Sequence, residues 1–199
     1  MSQKRETRGG IPAEIRAAGD TVTVSGYAAV YNQKVDICGW FTEVIAPGAF
    51  DEAITRDDVV FLINHDDLPL ARCRAGKGTL ILKSDEYGLY METALDQTDP
   101  DVQSIVPKIK RGDLDKMSFA FLPELQEWDE TQNPPLRTIK KAKLYDVSIV
   151  TTPAYEGTEI GLRSLEQHRE QIRKQQNFTA AQIRLKMKTH LDLKARENG

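Results

Sequence analysis

The chain has 199 residues, of which 40% are hydrophobic and 29% are charged, and this composition fits one globular domain of ordinary size with a terminal extension. Its longest apolar runs are far shorter than the roughly 20 residues of a membrane helix, and its first ten residues lack the apolar stretch of a secretory signal. Two cysteines cannot form a disulfide framework, so these features exclude a membrane protein, a secreted disulfide-rich protein and a disordered chain, and they favour a reducing cytoplasm.

Charge divides the chain unevenly. Residues 164–199 hold eight Lys and Arg against four Asp and Glu, a net charge of +4, whereas the whole chain carries −3. The negative total argues against a general nucleic-acid binder. The tail has no proline and is rich in Gln, Lys, Arg and Leu, which predicts a solvated helix. We therefore expect a mobile N-terminal arm over 1–20, a folded domain over 21–163 and a basic helical tail over 164–199.

The folded domain reads mainly as strands. Alternation with period two, or short runs rich in β-branched and aromatic residues, predicts strands over 21–31, 41–45, 59–63, 117–122 and 137–151, and a hairpin over 79–95. Pro47 and Gly48 open a short helix. A second helix starts at Pro100, is capped by Asp99 and ends at Gly112. The pattern predicts a mostly β chain, either an α+β domain or a mostly antiparallel barrel.

Two polar residues interrupt the strand patterns. His65 follows the run 59–63, and in a continued strand its side chain shares a face with the apolar residues of that run. Ser118 points away from its large apolar neighbours, and only Ala120 lies beside it on that face. A face with small side chains leaves room for another peptide chain.

Asp146 is the third unexpected polar residue. It lies in the apolar run 144–150, where a regular strand would place it on the same face as Leu144, Ser148 and Val150. A buried carboxylate without a partner costs several kcal/mol, so Asp146 needs a partner, and an imidazole would serve.

These three side chains suit nucleophilic catalysis. A serine hydroxyl attacks well only when a base takes its proton, and the base works best when a third group fixes its tautomer. Ser118, His65 and Asp146, on three different strands, supply these groups. Each residue alone also fits a structural role, and Ser148 is an alternative nucleophile.

Two other groups of residues are alternative sites. His65, Asp66 and Asp67, with Cys73, suggest a metal-dependent hydrolase, but their spacing matches no zinc pattern. Residues 74–79 resemble a phosphate-binding loop only in composition, because the first glycine is missing and no helix is predicted to follow.

The chain also resembles a known family, the prohead (capsid maturation) serine proteases of tailed bacteriophages, which are distant relatives of the herpesvirus assemblins. The matching blocks occur in family order: GYAAVY (26–31), EVIAPGAF (43–50), NHD (64–66), GTL (78–80), GL (88–89), MSFAF (117–121) and DVSIVTTPAY (146–155).

The resemblance implies an α+β, mostly β fold, an antiparallel β-barrel surrounded by helices like that of the herpesvirus proteases. It also implies that Ser118 is the nucleophile, His65 the general base and Asp146 the group that orients His65. Phage members often have Glu at the position of Asp146, and many have Gly at the position of Ala120. The resemblance implies no cofactor and no metal, and it gives no role to His168 or His190.

The function that the resemblance implies is a serine endopeptidase of capsid maturation. Its substrates would be scaffold protein, or the scaffold-like segment of the major capsid protein, and the chain itself, with the basic tail removed by self-cleavage. It would work inside the immature procapsid in the host cytoplasm, as a homo-oligomer, without a membrane or nucleic acid. The alternative is a catalytically silent capsid-assembly or scaffold protein with the same fold.

Overall fold

The computed structural model describes residues 5–18, 21–152 and 158–197. The chain divides into two compact units, Met1–Ile160 and Gly161–Gly199. In chain order the elements are β1 (Glu6–Pro12), β2 (Glu14–Ala18), β3 (Thr21–Val30), β4 (Val35–Ile37), β5 (Phe41–Ile45), α1 (Ala53–Arg56), β6 (Asp58–Ile63), β7 (Asp66–Arg74), β8 (Lys77–Gly78), β9 (Leu80–Ser84), β10 (Gly88–Leu95), α2 (Pro100–Lys110), β11 (Lys116–Asp129), β12 (Leu136–Val150) and α3 (Thr158–Glu197).

The first unit is built on two sheets. The larger has the order β1–β11–β12–β6–β7–β8, and β12 also pairs with β5, which pairs with β4; the smaller has the order β2–β3–β10–β9. Strand β12 runs parallel to β5 and β6, while the other pairs are antiparallel.

The α+β, mostly β class is therefore confirmed, but the larger sheet is mixed rather than antiparallel. The described strands do not close into a single barrel. Parallel pairing requires a crossover, and the long connection from β6 to β12 provides one.

Most predicted elements lie where the sequence pattern put them. Strand β5 has the predicted bounds, and β9 and β10 form the predicted hairpin. The Asp99 carboxylate caps α2 by accepting a hydrogen bond of 2.9 Å from the backbone N–H of Asp101. Beyond the helix, Gly112 has a φ of 81°, a conformation that glycine adopts readily. Helix α2 buries its apolar stripe in the core of the unit.

The segment expected to be a mobile arm contains two strands, β1 and β2. Its polar, glycine-containing sequence hides this, because the buried side chains of β1 are those of Glu6 and Arg8 rather than apolar ones. At the register shift between Gly9 and Ile11 in its pairing with β11, Gly10 has a φ of 120°, which glycine adopts without strain.

The second unit consists mostly of α3, a helix of 40 residues. It covers the region predicted as a basic helical tail. None of the helices in the described ranges combines the length and the apolar character needed to cross a lipid bilayer.

Candidate active site

The three candidate residues come from neighbouring parts of the larger sheet. Ser118 on β11 lies directly opposite Ser148 on β12, and Ser148 lies beside Leu62 on β6. Asp146 precedes Ser148 by two residues on β12, and His65 follows the end of β6. The order β11–β12–β6 thus brings three distant chain segments together.

His65 does not continue strand β6, as its sequence pattern suggested. The strand ends at Ile63, and Asn64 and His65 have φ values of 48° and 61°. Asn and His adopt this left-handed conformation more readily than most residues. The turn is anchored to β12, because the backbone N–H of Asn64 donates to the carbonyl of Ile149 (3.0 Å) and its side-chain oxygen accepts from the N–H of Thr151 (3.1 Å). The turn directs the imidazole across the sheet.

The His65 ring joins the other two residues. Its Nε2 lies 2.6 Å from Ser118 Oγ, and its Nδ1 lies 2.6 Å from Asp146 Oδ1. Ser118 and Asp146 are completely buried, whereas 12% of the His65 side chain is exposed. The structure therefore brings all three predicted residues into one hydrogen-bonded row.

Asp146 lies on a different face from the one that simple alternation suggested. A register shift in the β11–β12 pairing falls between Ala120 and Phe121, which lie opposite Asp146 and Leu144. Leu144, like Val147, packs in the hydrophobic core. The shift turns the Asp146 carboxylate away from that core and toward His65, which explains why an acidic residue can occupy an apolar run.

Comparison with known proteins identifies the family of this chain. The sequence profile described as caudovirus prohead serine protease matches residues 11–171. The chain belongs to this family. A search of solved structures matched the bacteriophage T4 capsid assembly protease, with 12% sequence identity, a TM-score of 0.46, and coverage of 75% of this chain and 99% of that chain. No curated protein matched. The prohead proteases belong to phage capsid maturation.

The sequence did not decide whether Ser148 acts in the site of this family member. Its hydroxyl is completely buried, donates to Asp146 Oδ1 (2.9 Å) and lies 3.2 Å from His65 Nδ1. The spacing of two residues from Asp146 was the signal, because it places both side chains on one face of β12. Ser118 lies on the Nε2 side of the ring, and Ser148 lies on the Nδ1 side beside the carboxylate.

A second buried polar group was missed entirely. We call it the ion-pair cluster: Glu6 and Arg8 of β1, Glu43 of β5 and Arg137 of β12. Each of the four is at most 5% exposed. Arg8 Nε donates to Glu43 (2.7 Å), and Arg137 donates to both Glu6 (2.8 Å) and Glu43 (2.9 Å).

The sequence did carry a signal for this cluster. Glu43 alternates with Phe41 and Ile45 on the buried face of β5, and Arg137 is two residues from the buried Ile139. A charged residue that lies on the same face of a strand as core residues indicates a buried ion pair. Burial raises the pKa of Glu6, but the hydrogen bonds and charges of Arg137 and Arg8 together outweigh burial, and the net pKa is lowered.

The competing metal site includes Asp67, whose side chain lies outside the part of the chain that the structure describes. Among side chains whose positions are described, no group of three or more His, Cys, Asp or Glu could hold a metal ion. Cys73 is buried, and burial raises the pKa of its thiol. Residues 74–79 form the connection from β7 through β8 to β9, with no helix following.

A cleft of about 440 Å³ lies next to the site. It is lined by residues of β6, β7 and α2 and of the turns that follow β6 and β12: Ile63, Asn64, Leu70, Ile105, Lys108 and Thr151 among others. The cleft stops at Asn64, and neither Ser118 nor His65 is among the residues that line it.

Proposed function

We propose that this chain is a serine endopeptidase in which Ser118 is the nucleophile, His65 the general base and Asp146 the residue that orients His65. The observation that carries this proposal is the His65 ring, which lies 2.6 Å from Ser118 Oγ on one side and 2.6 Å from Asp146 Oδ1 on the other. Membership in a serine protease family supports the same assignment.

The chemistry follows from the two ends of the ring. Asp146 accepts the Nδ1 hydrogen, so Nε2 carries a lone pair toward Ser118 and can take its proton during attack on a peptide carbonyl. The protonated ring then gives this proton to the leaving amine, and the scissile C–N bond breaks. Water attacks the acyl-enzyme with His65 again as the base, which releases the acid product and restores Ser118.

The family supports the biological setting. We propose that the substrates are scaffold protein, or the scaffold-like segment of the major capsid protein, together with the chain itself. The reaction would take place inside the immature procapsid in the host cytoplasm, and a fold related to that of the herpesvirus proteases is part of this proposal. The boundaries at 21–163 and 164–199, with removal of the basic tail by self-cleavage and formation of a homo-oligomer, are also proposals.

Co-expression with the phage's own major capsid and scaffold proteins tests the function. The wild-type chain should cleave the capsid or scaffold precursor to a shorter product, whereas Ser118→Ala should fold and leave the precursor at full length. The intact mass of the chain should show self-processing only in the wild type. Ser25→Ala is a matched control, because Ser25 is also buried but lies on β3 of the other sheet. Normal capsid maturation in Ser118→Ala would contradict the assignment.

The alternative is a silent capsid-assembly protein with the same fold. It predicts full-length capsid protein with the wild type as well, and no effect of Ser118→Ala on assembly. A metal-dependent hydrolase predicts cleavage that stops when EDTA is added, whereas the serine mechanism is indifferent to a chelator.

A further inference from the structure

The acid of the candidate site lies beside a bulge in strand β12. Asp146 and Leu144 lie opposite consecutive residues of β11, so Tyr145 between them is an extra residue in this pairing. A bulge changes the face of the sheet on which the following side chains lie. In a regular strand Asp146 would share the face of Leu144, which packs in the hydrophobic core, and would point away from His65. The position of the acid therefore depends on the bulge.

The bulge lies where β12 changes its partner on the other edge. Strand β12 pairs with β5 over Leu136–Ile139 and with β6 over Asp146–Ile149. Between these two stretches, the buried backbone N–H of Leu144 needs an acceptor. It donates to the carboxylate of Asp57, at a distance of 2.9 Å from Oδ2. At the residue next to the bulge, a side chain thus takes the place of the backbone acceptor that a neighbouring strand would supply.

The Asp57 carboxylate is held in one orientation. Asp57 directly precedes β6, its side chain is 4% exposed, and its backbone N–H donates to the carbonyl of Ala53 in α1 (2.8 Å). Arg56 donates from Nε to Oδ1 (2.7 Å) and from Nη2 to Oδ2 (3.1 Å). Arg56 also donates to Glu124 of β11 (3.1 Å). Because both carboxylate oxygens accept hydrogen bonds from the neighbouring guanidinium, the charge is compensated and Oδ2 stays directed at β12.

The next residue, Asp58, provides a comparison within the chain. Its carboxylate also pairs with arginines, Arg72 and Arg74 of β7, but its side chain is 41% exposed. An exposed pair of this kind contributes little to stability. The Asp57 carboxylate is buried and bonded to the backbone of β12. Two consecutive aspartates therefore differ in what they hold: Asp58 holds surface side chains, and Asp57 holds the strand that carries the acid.

We propose that Asp57 is a positioning residue for the reaction, which fixes the bulge by accepting the Leu144 N–H and so directs Asp146 to His65. Without this acceptor the Leu144 N–H is buried and unsatisfied, which favours a rearrangement of the bulge. A rearranged bulge withdraws the Asp146 carboxylate from His65 Nδ1. The ring then loses the group that fixes its tautomer. This inference rests on the proposed function.

Asp57→Ala and Asp57→Asn test the proposal, because the amide oxygen of asparagine can still accept the Leu144 N–H whereas alanine cannot. The first measurement is the rate at which a fluorophosphonate probe adds to Ser118 of the full, folded chain. The second is the proton NMR signal of the His65 Nδ1 hydrogen, which a short bond to a carboxylate moves downfield of the backbone amides. We expect Asp57→Ala to slow labelling about tenfold and to abolish the downfield signal, and Asp57→Asn to retain both.

Two control variants separate positioning from a general loss of stability. Asp58→Ala removes the neighbouring carboxylate and its surface pairs. Thr93→Val removes a hydrogen bond from the buried Thr93, on β10 of the smaller sheet, to the carbonyl of Thr79 (3.1 Å). Both should leave the labelling rate and the His65 signal unchanged, although Thr93→Val lowers the melting temperature. Equal losses in Thr93→Val and Asp57→Ala, or in Asp57→Asn and Asp57→Ala, would overturn the proposal.

Arg56→Met tests the same role if Asp57→Ala does not fold. It releases the Asp57 carboxylate from a side chain that is 41% exposed, and Arg72→Met is its matched surface control. We expect labelling about threefold slower and a shifted His65 signal in Arg56→Met alone. Unchanged labelling and signal in folded Asp57→Ala, or otherwise in Arg56→Met, would overturn the positioning role and leave the proposed function standing. Absence of any Ser118 adduct in the wild type, even during capsid maturation, instead rejects the proposed function and the inference with it.

Discussion

Two groups of buried polar side chains lie on the same sheet, and they differ in how fully their hydrogen-bonding capacity is used. In the ion-pair cluster, two arginines and two glutamates balance in charge, and several hydrogen bonds of 2.7–3.1 Å join them. In the row formed by Ser118, His65 and Asp146, Asp146 Oδ2 has no hydrogen-bond partner among the described residues, and the single proton of the Ser118 hydroxyl has two neighbours within hydrogen-bond distance. The first group holds strands together, whereas the second group can still change its hydrogen bonds.

The contrast extends to the backbone. The four cluster residues lie on regular strands, whereas His65 lies in a turn with a positive φ. Conformations of this kind persist where the surroundings fix them, and they are frequent at functional sites. Here the fixing groups are the hydrogen bonds between Asn64 and the end of β12.

Asp146→Asn should have the largest effect of the substitutions that test this contrast. We expect peptide cleavage to fall about 10⁴-fold, because an amide can donate to Nδ1 and so favour the tautomer that cannot accept the Ser118 proton. The melting temperature should change little. Cleavage rates of folded protein check the result, with the exposed Asp113→Asn as a control. A loss smaller than tenfold contradicts the role of Asp146.

Arg137→Met tests the ion-pair cluster instead. Removing one partner leaves Glu6 and Glu43 with too little positive charge, and breaking a buried pair in this way costs about 3–5 kcal/mol of unfolding free energy. Urea denaturation measures this loss. The exposed Arg72→Met, which removes the pair with Asp58 on the surface, should change stability little. If both variants have equal stability, the cluster does not hold the strands.

Ser148→Ala should reduce cleavage less than Asp146→Asn does. The size of the loss shows whether Ser148 positions the other residues or is itself the nucleophile. We expect kcat to fall about tenfold at unchanged KM, the loss of one hydrogen bond to a charged group. Ser148→Thr, which keeps the hydroxyl, should restore kcat. A loss as complete as that of Ser118→Ala would make Ser148 the nucleophile.

The smallest expected effect is on the unfolding free energy at acidic pH. The pKa of Glu6 is lowered in the folded state, so its contribution to stability is present above the unfolded value of about 4.5 and is lost as pH falls through the folded value. Unfolding free energy should therefore decrease with falling pH below about 4.5, and less steeply in Glu6→Gln. Parallel curves for the two proteins would show that Glu6 does not gain this stability on folding.

The sequence predicted the regular parts of the fold, and it singled out three residues, Ser118, His65 and Asp146, that the structure brings within hydrogen-bond distance. Period-two runs gave β5 and the β9–β10 hairpin, and Asp99 and Pro100 marked the start of α2. These features depend on neighbours along the chain. Local pattern and composition are enough to find them.

The parts that the sequence did not predict depend on distant partners. The buried side chains of strand β1 are charged because they form ion pairs with Glu43 and Arg137, which lie far along the chain. A register shift at Leu144 moves Asp146 to the other face, and a turn carries His65 off its strand. Each of these departures from simple alternation brings a polar residue to its partner.

The most direct test of the central claim is the site of fluorophosphonate addition while the capsid protein is being processed. The probe should be added during co-expression with the capsid proteins, and the labelled peptide should be identified by mass spectrometry. The account predicts one adduct, on Ser118, and none in Ser118→Ala. An adduct on Ser148, or cleavage of the capsid protein with Ser118 unlabelled, would contradict it.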